Sequence, residues 1–391
     1  MIANLVLGLG VSFVTPFLPL FATDAVGMGV RGFGAFMTVN ACSNIAIGTW
    51  IARRSDRLGN RKQLLLLGGV ACALGYLCYA VTRELWALCL VGMFVLGVGS
   101  ITFSQLYAHT RELLAASTLS KGAVPLYINT CRMAFALAWT GGPALASWLL
   151  ARSGFGGLFT GAAALHVLFC LVVALGVQAQ RVQRPVRPIA TAPPHIESTE
   201  DAPQPDRVYL ARWFVAFALL FAGQNMALMN LSLLVLKVLG GNETDVGIVF
   251  SLAPFFEVPL MIYVGWLATR MPSARLIRAA AVISVLYYSG ILFTQHPWHV
   301  YPLQILSAAI ISVMGGVAIT FFQDHMPGRP GEATNLYTSA SRVGATSGYL
   351  LFGAAAGSFG FRAAYGVCAI LAAIALLLMP TLRNPRTSLV S

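Results

Sequence analysis

Again and again this chain runs for about twenty residues with almost no charge, the length a helix needs to cross the hydrocarbon layer of a bilayer. Twelve such segments can be marked. The first six are Ile2–Phe21, Gly32–Ala52, Leu64–Val81, Trp86–Tyr107, Gly122–Leu150 and Leu158–Val177. The last six are Tyr209–Leu236, Val246–Ala268, Leu276–Phe293, Val300–Phe322, Ala333–Gly357 and Ala363–Leu382. Segments of this kind leave few options. In hydrocarbon every backbone N–H and C=O must find a partner within the protein, and a helix provides these partners itself. The expected fold is an all-α integral membrane protein of twelve transmembrane helices. Composition agrees: 58% of residues are hydrophobic and 10% charged, against about 25% charged in an ordinary soluble domain.

Between the sixth and seventh segments, Gln178 to Arg207 is polar and carries Pro185, Pro188, Pro193, Pro194, Pro203 and Pro205. It reads as a flexible linker. The expected division is an N-terminal six-helix half, 1–178, a cytoplasmic linker, 179–207, and a C-terminal six-helix half, 208–391. Lysine and arginine mark the cytoplasmic side of a membrane protein. With both termini inside, the inner loops hold most of the 25 basic residues, including Arg53, Arg54, Arg57, Arg61 and Lys62. The outer loops hold only Arg31, Arg83, Arg152, Lys237 and Arg362. The net charge of +12 thus holds topology against anionic lipid and requires no nucleic-acid partner.

The first segment starts almost at Met1, with no basic region and cleavage site before it, so no cleavable signal peptide is expected. Either no cytoplasmic tail precedes this span or the true start lies upstream. The seven cysteines lie in apolar stretches and form no CxxC pair, which fits small buried residues rather than redox chemistry. His109, His166, His195, His296, His299 and His325 stand at segment ends, in loops or alone, and none reads as a metal ligand. The glycine-rich run GVGS, Gly97 to Ser100, lacks a following lysine and sits inside a span, so it is a packing surface. No metal and no cofactor are expected, and no catalytic constellation that would make the chain an enzyme.

Shifted by about 213 residues, the chain matches itself, as internally duplicated transporters do. ARRSDRLGNRK, Ala52 to Lys62, aligns with GWLATRMPSAR, Gly265 to Arg275. ITFSQ, from Ile101, matches ITFFQ, from Ile319. LYINTCRMAFALAW, from Leu126, matches LYTSASRVGATSGY, from Leu336, and pairs Arg132 with Arg342 and Trp139 with Tyr349.

ARRSDRLGNRK resembles the cytoplasmic signature loop of the major facilitator superfamily, with Ala52 in place of its leading glycine. Further stretches resemble the bacterial sugar efflux transporter (SET) family: TVNA from Thr38, ARRSD from Ala52, LAWTGGP from Leu137, FEVP from Phe256, and FQDHMPGRPGEAT from Phe322. The similarity runs over nearly the whole chain. It implies the major facilitator fold, two pseudo-symmetric halves moving by alternating access. It also implies a latch between the halves at Asp56, Arg57, Gly59, Arg61 and Lys62. The function implied is export of sugars or glycosides from the cytoplasm of a bacterium across its inner membrane, by proton antiport, with the chain acting as a monomer. WTGGPALA, Trp139 to Ala146, matches only part of the Gly-Pro motif of antiporters. A drug/proton antiporter and a sugar/proton symporter remain as alternatives.

Charge within a span costs about 2.5–3.5 kcal/mol at a helix centre, so each instance is informative. Arg132 and Arg342 are two, and Glu257, between Pro254 and Pro259, is the one carboxylate in the middle of a segment. Counted from the nearest loop, Arg132 lies roughly 15 Å and Glu257 roughly 20 Å from the inner face. The resemblance implies that the fifth span packs on the eighth, and the second on the eleventh, across the boundary of the halves. Arg132 is then expected to meet Glu257, and Arg342 to face Asn40 and Asn44. Two roles for the Arg132–Glu257 pair stay open: proton coupling, or a static tie holding helices in register.

A sugar site needs amides or guanidinium groups for hydroxyls and a ring for the C–H face. Trp139 lies two turns from Arg132, with Asn129 one turn the other way; Tyr349, Arg342 and Ser339 repeat the arrangement. Asn40, Asn44, Asn225, Asn230 and Glu257 complete the expected substrate lining. For each single amide, helix–helix hydrogen bonding is the competing use.

Overall fold

The structure, a computed structural model, describes residues 1–58, 61–116, 124–177, 207–326 and 329–380. The described residues form helices α1 (Ile2–Val14), α2 (Leu18–Leu20), α3 (Val30–Leu58), α4 (Arg61–Val81), α5 (Leu85–Leu90), α6 (Leu96–Gly99), α7 (Ile101–Ala116), α8 (Val124–Gly176), α9 (Arg207–Lys237), α10 (Glu243–Ala268), α11 (Ser273–Leu292), α12 (Val300–His325) and α13 (Pro330–Leu378). Some spans are composite. A π-helical turn, Phe21–Ala25, completes the first, after Pro16 and Pro19; another, Val91–Val95, joins α5 to α6 in the fourth.

Two helices are too long for one crossing. α8 breaks at Gly154 (φ 61°, ψ −168°) and α13 at Gly360 (φ 85°, ψ 167°). Each break is a hairpin. Along a straight helix Leu149 and Gly161 would stand about 18 Å apart; instead a Cβ built on Gly161 would lie 2.7 Å from Leu149 Cδ2. Likewise the neighbours Ala222 and Gly223 of α9 approach Gly348 and Cys368, on opposite arms of α13. Counting two crossings each for α8 and α13, the helices make the expected twelve spans in two pseudo-symmetric halves. Both breaks use a backbone region open essentially to glycine alone. Gly154→Ala and Gly360→Ala are each expected to cost about 1–3 kcal/mol, read as a lower thermal-unfolding midpoint in detergent. An unchanged midpoint in both variants would contradict the assignment.

Burial follows the bilayer. On α4 the exposed residues Leu67, Val70, Leu74, Leu77 and Val81 recur every three or four positions, an apolar stripe for lipid tails. The opposite face, with Leu64, Leu65, Cys72 and Tyr79, is buried in the bundle. Basic groups clamp the ends of the bundle opposite the hairpin turns. Lys62 Nζ donates to the Ala174 carbonyl at 2.7 Å, and Arg278 Nη2 to the Met379 carbonyl at 2.9 Å, so each half closes its last helix with a cation at its C-terminus.

The halves meet where the sequence places them: α8 packs on α10, and α3 on α13. Their ties gather at the end of the bundle that carries both hairpin turns. Asp24 pairs with Lys237 at 2.7 Å. Arg31 Nη2 donates to Ser358 Oγ at 2.9 Å. Gly34 faces Gly353, and Gly247 faces Ser147.

Candidate functional site

Between the halves lies a cavity of two adjoining lobes, of about 320 and 340 Å³, with Leu228 of α9 on the wall of both. The first, the C lobe, is lined by α9, α10, α11, α12 and the start of α13. Its polar groups are Gln224 and Asn225 on α9, Gln304 and Ser307 on α12, Ser341 on α13, and the hydroxyls of Tyr287 and Tyr288. The second, the N lobe, is lined mostly by α1, α3, α4, the fourth span and the second arm of α8. It carries Asn40, Asn44, Tyr76, Tyr79 and His166.

Each lobe borrows one aromatic ring from the other half. Trp139 of α8 reaches into the C lobe, and Tyr349 of α13 into the N lobe. The duplication pairs these two residues, and the structure puts both on cavity walls. Tyr349 Oη donates to Asn225 Oδ1 at 3.3 Å, while Asn225 Nδ2 donates to the Phe221 carbonyl at 2.9 Å. Gln304 Nε2 donates weakly to Tyr287 Oη at 3.5 Å and to the Val300 carbonyl at 3.4 Å. Four buried atoms on these walls have no partner: Trp139 Nε1, Asn40 Oδ1, Asn44 Oδ1 and His166 Nε2. Buried polar atoms are normally paired, so four unpaired ones on the walls of one cavity are notable. In chemical terms the walls offer amides that both donate and accept, and flat rings for apolar faces.

Asn40, Asn44, Trp139, Asn225 and Tyr349 are therefore brought together. Others are not. Asn230 is fully buried away from the cavity and donates through Nδ2 to the Phe361 carbonyl at 2.6 Å. It ties α9 to the turn after Gly360, the helix-to-helix use of an amide. Arg342 is exposed and lines neither lobe; its neighbour Ser341 lines the C lobe instead. No hydrogen bond from Arg342 to Asn40 or Asn44 is among those described; the Asn40 and Asn44 amide oxygens lie near Gly92 and Gly97 of the fourth span. Glu257 is half-buried on α10, one turn beyond Pro254, which lines the C lobe. Asn129 and Arg132 lie on α8, with side chains outside the described ones, as are those of Asp56 and Arg57; Gly59 lies outside the described residues. Arg61 Nη1 donates to Gln105 Oε1 at 2.7 Å, and Lys62 Nζ to the Ala174 carbonyl at 2.7 Å. Among the described residues no cluster of His, Cys, Asp and Glu has the makings of a metal site, and the seven cysteines are unlinked.

Sequence reasoning passed over His166, Gln224, Gln304, Tyr287 and Tyr288. The signal for four of them was present: a Gln-Asn and a Tyr-Tyr pair, and a lone glutamine, inside apolar spans.

Comparison with known proteins agrees with this architecture. The sequence profile of the Major Facilitator Superfamily matches residues 1–348. The chain is 29% identical to sugar efflux transporter A of Escherichia coli, covering 98% of this chain and 95% of that protein. It is 30% identical to sugar efflux transporter B of Salmonella typhimurium, covering 92% and 88%. The crystal structure of the nucleoside transporter NupG superposes with a TM-score of 0.74 at 13% identity, covering 97% of this chain and 96% of that one.

Proposed function

The chain belongs to the major facilitator superfamily and within it to the sugar efflux transporter family, and we propose that it exports sugars or glycosides from the cytoplasm in exchange for protons. The observation that carries this reading is the pairing of amides with rings on one cavity: Gln224, Asn225 and Gln304 beside Trp139, Tyr287 and Tyr288. A hydroxyl both donates and accepts, and so does a carboxamide. The C–H face of a pyranose is apolar and suits an aromatic ring.

The contacts between the halves are consistent with an inward-facing state. The positive-inside rule puts the hairpin end outside and both termini in the cytoplasm. The described ties between the halves, Asp24–Lys237, Arg31–Ser358 and the glycine contacts, then close the outer mouth. A cavity sealed outside is the state in which an exporter loads from the cytoplasm; the direction itself is proposed from the family resemblance. The moving bodies are residues 1–178 and 208–391, joined by the linker, and one chain suffices. The signature loop, Asp56, Arg57, Gly59, Arg61 and Lys62, is the proposed latch that holds the halves when the outer mouth opens.

The test is efflux of radiolabelled sugars and fluorescent dyes from cells of an inner-membrane expression host. At least one sugar is expected to leave faster than from cells with an empty vector, and to leave faster still when the outside is acidified. Export of dyes without any sugar would replace this reading with drug/proton antiport. Sugar uptake driven by the same gradient would replace it with symport.

A further inference from the structure

Among the described residues, His166 is the one histidine on the cavity wall. It stands on the second arm of α8 and reaches the cavity through a gap in α1. A Cβ built on Gly10 would fall 2.4 Å from the imidazole Cε1 and 2.8 Å from Nδ1, so α1 makes room for the ring by having glycine there. Tyr76 of α4 covers the ring from another side, with centroids 5.2 Å apart. The residue is 1% exposed.

Nδ1 stands 2.8 Å from the Ala162 carbonyl oxygen. A carbonyl can only accept, so Nδ1 carries the proton, and Nε2 of the neutral ring is a bare lone pair. That atom is buried, has no partner, and belongs to the wall of the N lobe. Asn40 Oδ1 and Asn44 Oδ1 are unpaired in the same lobe. A cavity wall with several buried acceptors and nothing to fill them is shaped for a molecule that brings its own O–H groups.

We infer that the N lobe is a hydroxyl-reading subsite in which His166 Nε2 accepts a hydrogen bond from the transported molecule. This rests on the sugar reading above and deepens it. The C lobe, with three carboxamides beside its rings, seats the sugar ring, and the N lobe discriminates among hydroxyl patterns. His166 is thereby a specificity-determining residue, fixed in direction by Ala162 and given its reach by Gly10.

The experiment uses the purified full chain in proteoliposomes. Counterflow of a transported sugar is inhibited by that sugar and by its monodeoxy analogues, one for each hydroxyl. The wild type is expected to bind one analogue about tenfold more weakly than the parent, the size expected when a buried acceptor loses its donor. In His166→Phe that difference disappears while the penalties at the other hydroxyls persist. His166→Gln, which carries an amide oxygen to about the position of Nε2, restores it. Gly10→Ala drives a methyl into the imidazole edge and is expected to erase the same difference, a second route if His166→Phe does not fold. An unchanged analogue profile in these variants, showing that Nε2 serves a structural water only, would overturn the inference while leaving sugar transport intact. A wild type that moves no sugar at all would overturn the sugar reading and this subsite with it.

Discussion

Gly353→Leu is expected to lower sugar efflux by at least about tenfold while the protein still folds and reaches the membrane, because the substitution disfavours one of the two states that transport alternates between. The cause is the crossing of α3 and α13. A Cβ built on Gly34 would lie 2.6 Å from Gly353 Cα and 2.8 Å from the Tyr349 carbonyl oxygen. A Cβ on Gly353 would lie 3.0 Å from Gly34 Cα and 3.2 Å from the Arg31 carbonyl oxygen. These are backbone atoms, which cannot rotate out of the way. A leucine must push the helices apart, at about 1–3 kcal/mol for overpacking of this kind. Each 1.4 kcal/mol is a tenfold change in population, so the closed outer mouth becomes a minor state. The Asp24–Lys237 pair cannot compensate, since both side chains are partly exposed and such pairs contribute at most about 1 kcal/mol. The second measurement is labelling of Asp24→Cys by a membrane-impermeant maleimide from outside. It is expected to rise in the Gly353→Leu background. Normal efflux with unchanged labelling would show that the glycine contact has no part in closure.

The twelve spans were legible because the bilayer leaves a hydrophobic chain so little choice: length and lack of charge suffice. The contacts of α8 with α10 and of α3 with α13 came from the family resemblance and hold in the structure. The π-helical turns at Phe21–Ala25 and Val91–Val95 were not legible, since each depends on how a span meets its neighbours rather than on a local pattern. The cavity was half legible. Asn40, Asn44, Trp139, Asn225 and Tyr349 are conspicuous as polar or ring-bearing residues in apolar helices, and all five line it. Asn230 gives the same signal in the sequence but faces Phe361, because a helix carries its residues around every side. Arg342 repeats Arg132 in sequence, yet it lies exposed beside a lining residue, one position around the helix. His166 was dismissed as solitary. Its route to the cavity depends on a glycine 156 positions away, on another helix, and no local pattern carries such a coincidence.

If sugar movement is coupled to protons as proposed, the coupling is expected to fall on Glu257. A carboxylate at mid-span costs about 2.5–3.5 kcal/mol when charged, so its presence calls for a use. α10 is also weakened there. Pro254 and Pro259 lie inside the helix and supply no N–H, which leaves the carbonyls of Phe250 and Phe255 without their usual partners. The carboxylate thus sits on the part of α10 best able to change shape, one turn from the C lobe and on the helix that packs across the boundary against α8. In proteoliposomes, Glu257→Gln is expected to abolish uphill sugar movement driven by a pH gradient, with exchange of internal for external sugar continuing near the wild-type rate. The two halves can still alternate when the side chain is permanently neutral; what is lost is the requirement that a proton travel with each turnover. Sugar-evoked proton movement, followed with an internal pH dye, is expected to fall to background. A carboxylate that only held α10 in register would give the opposite pattern: a lower melting temperature with proton movement of wild-type size, and that result would remove Glu257 from the coupling mechanism.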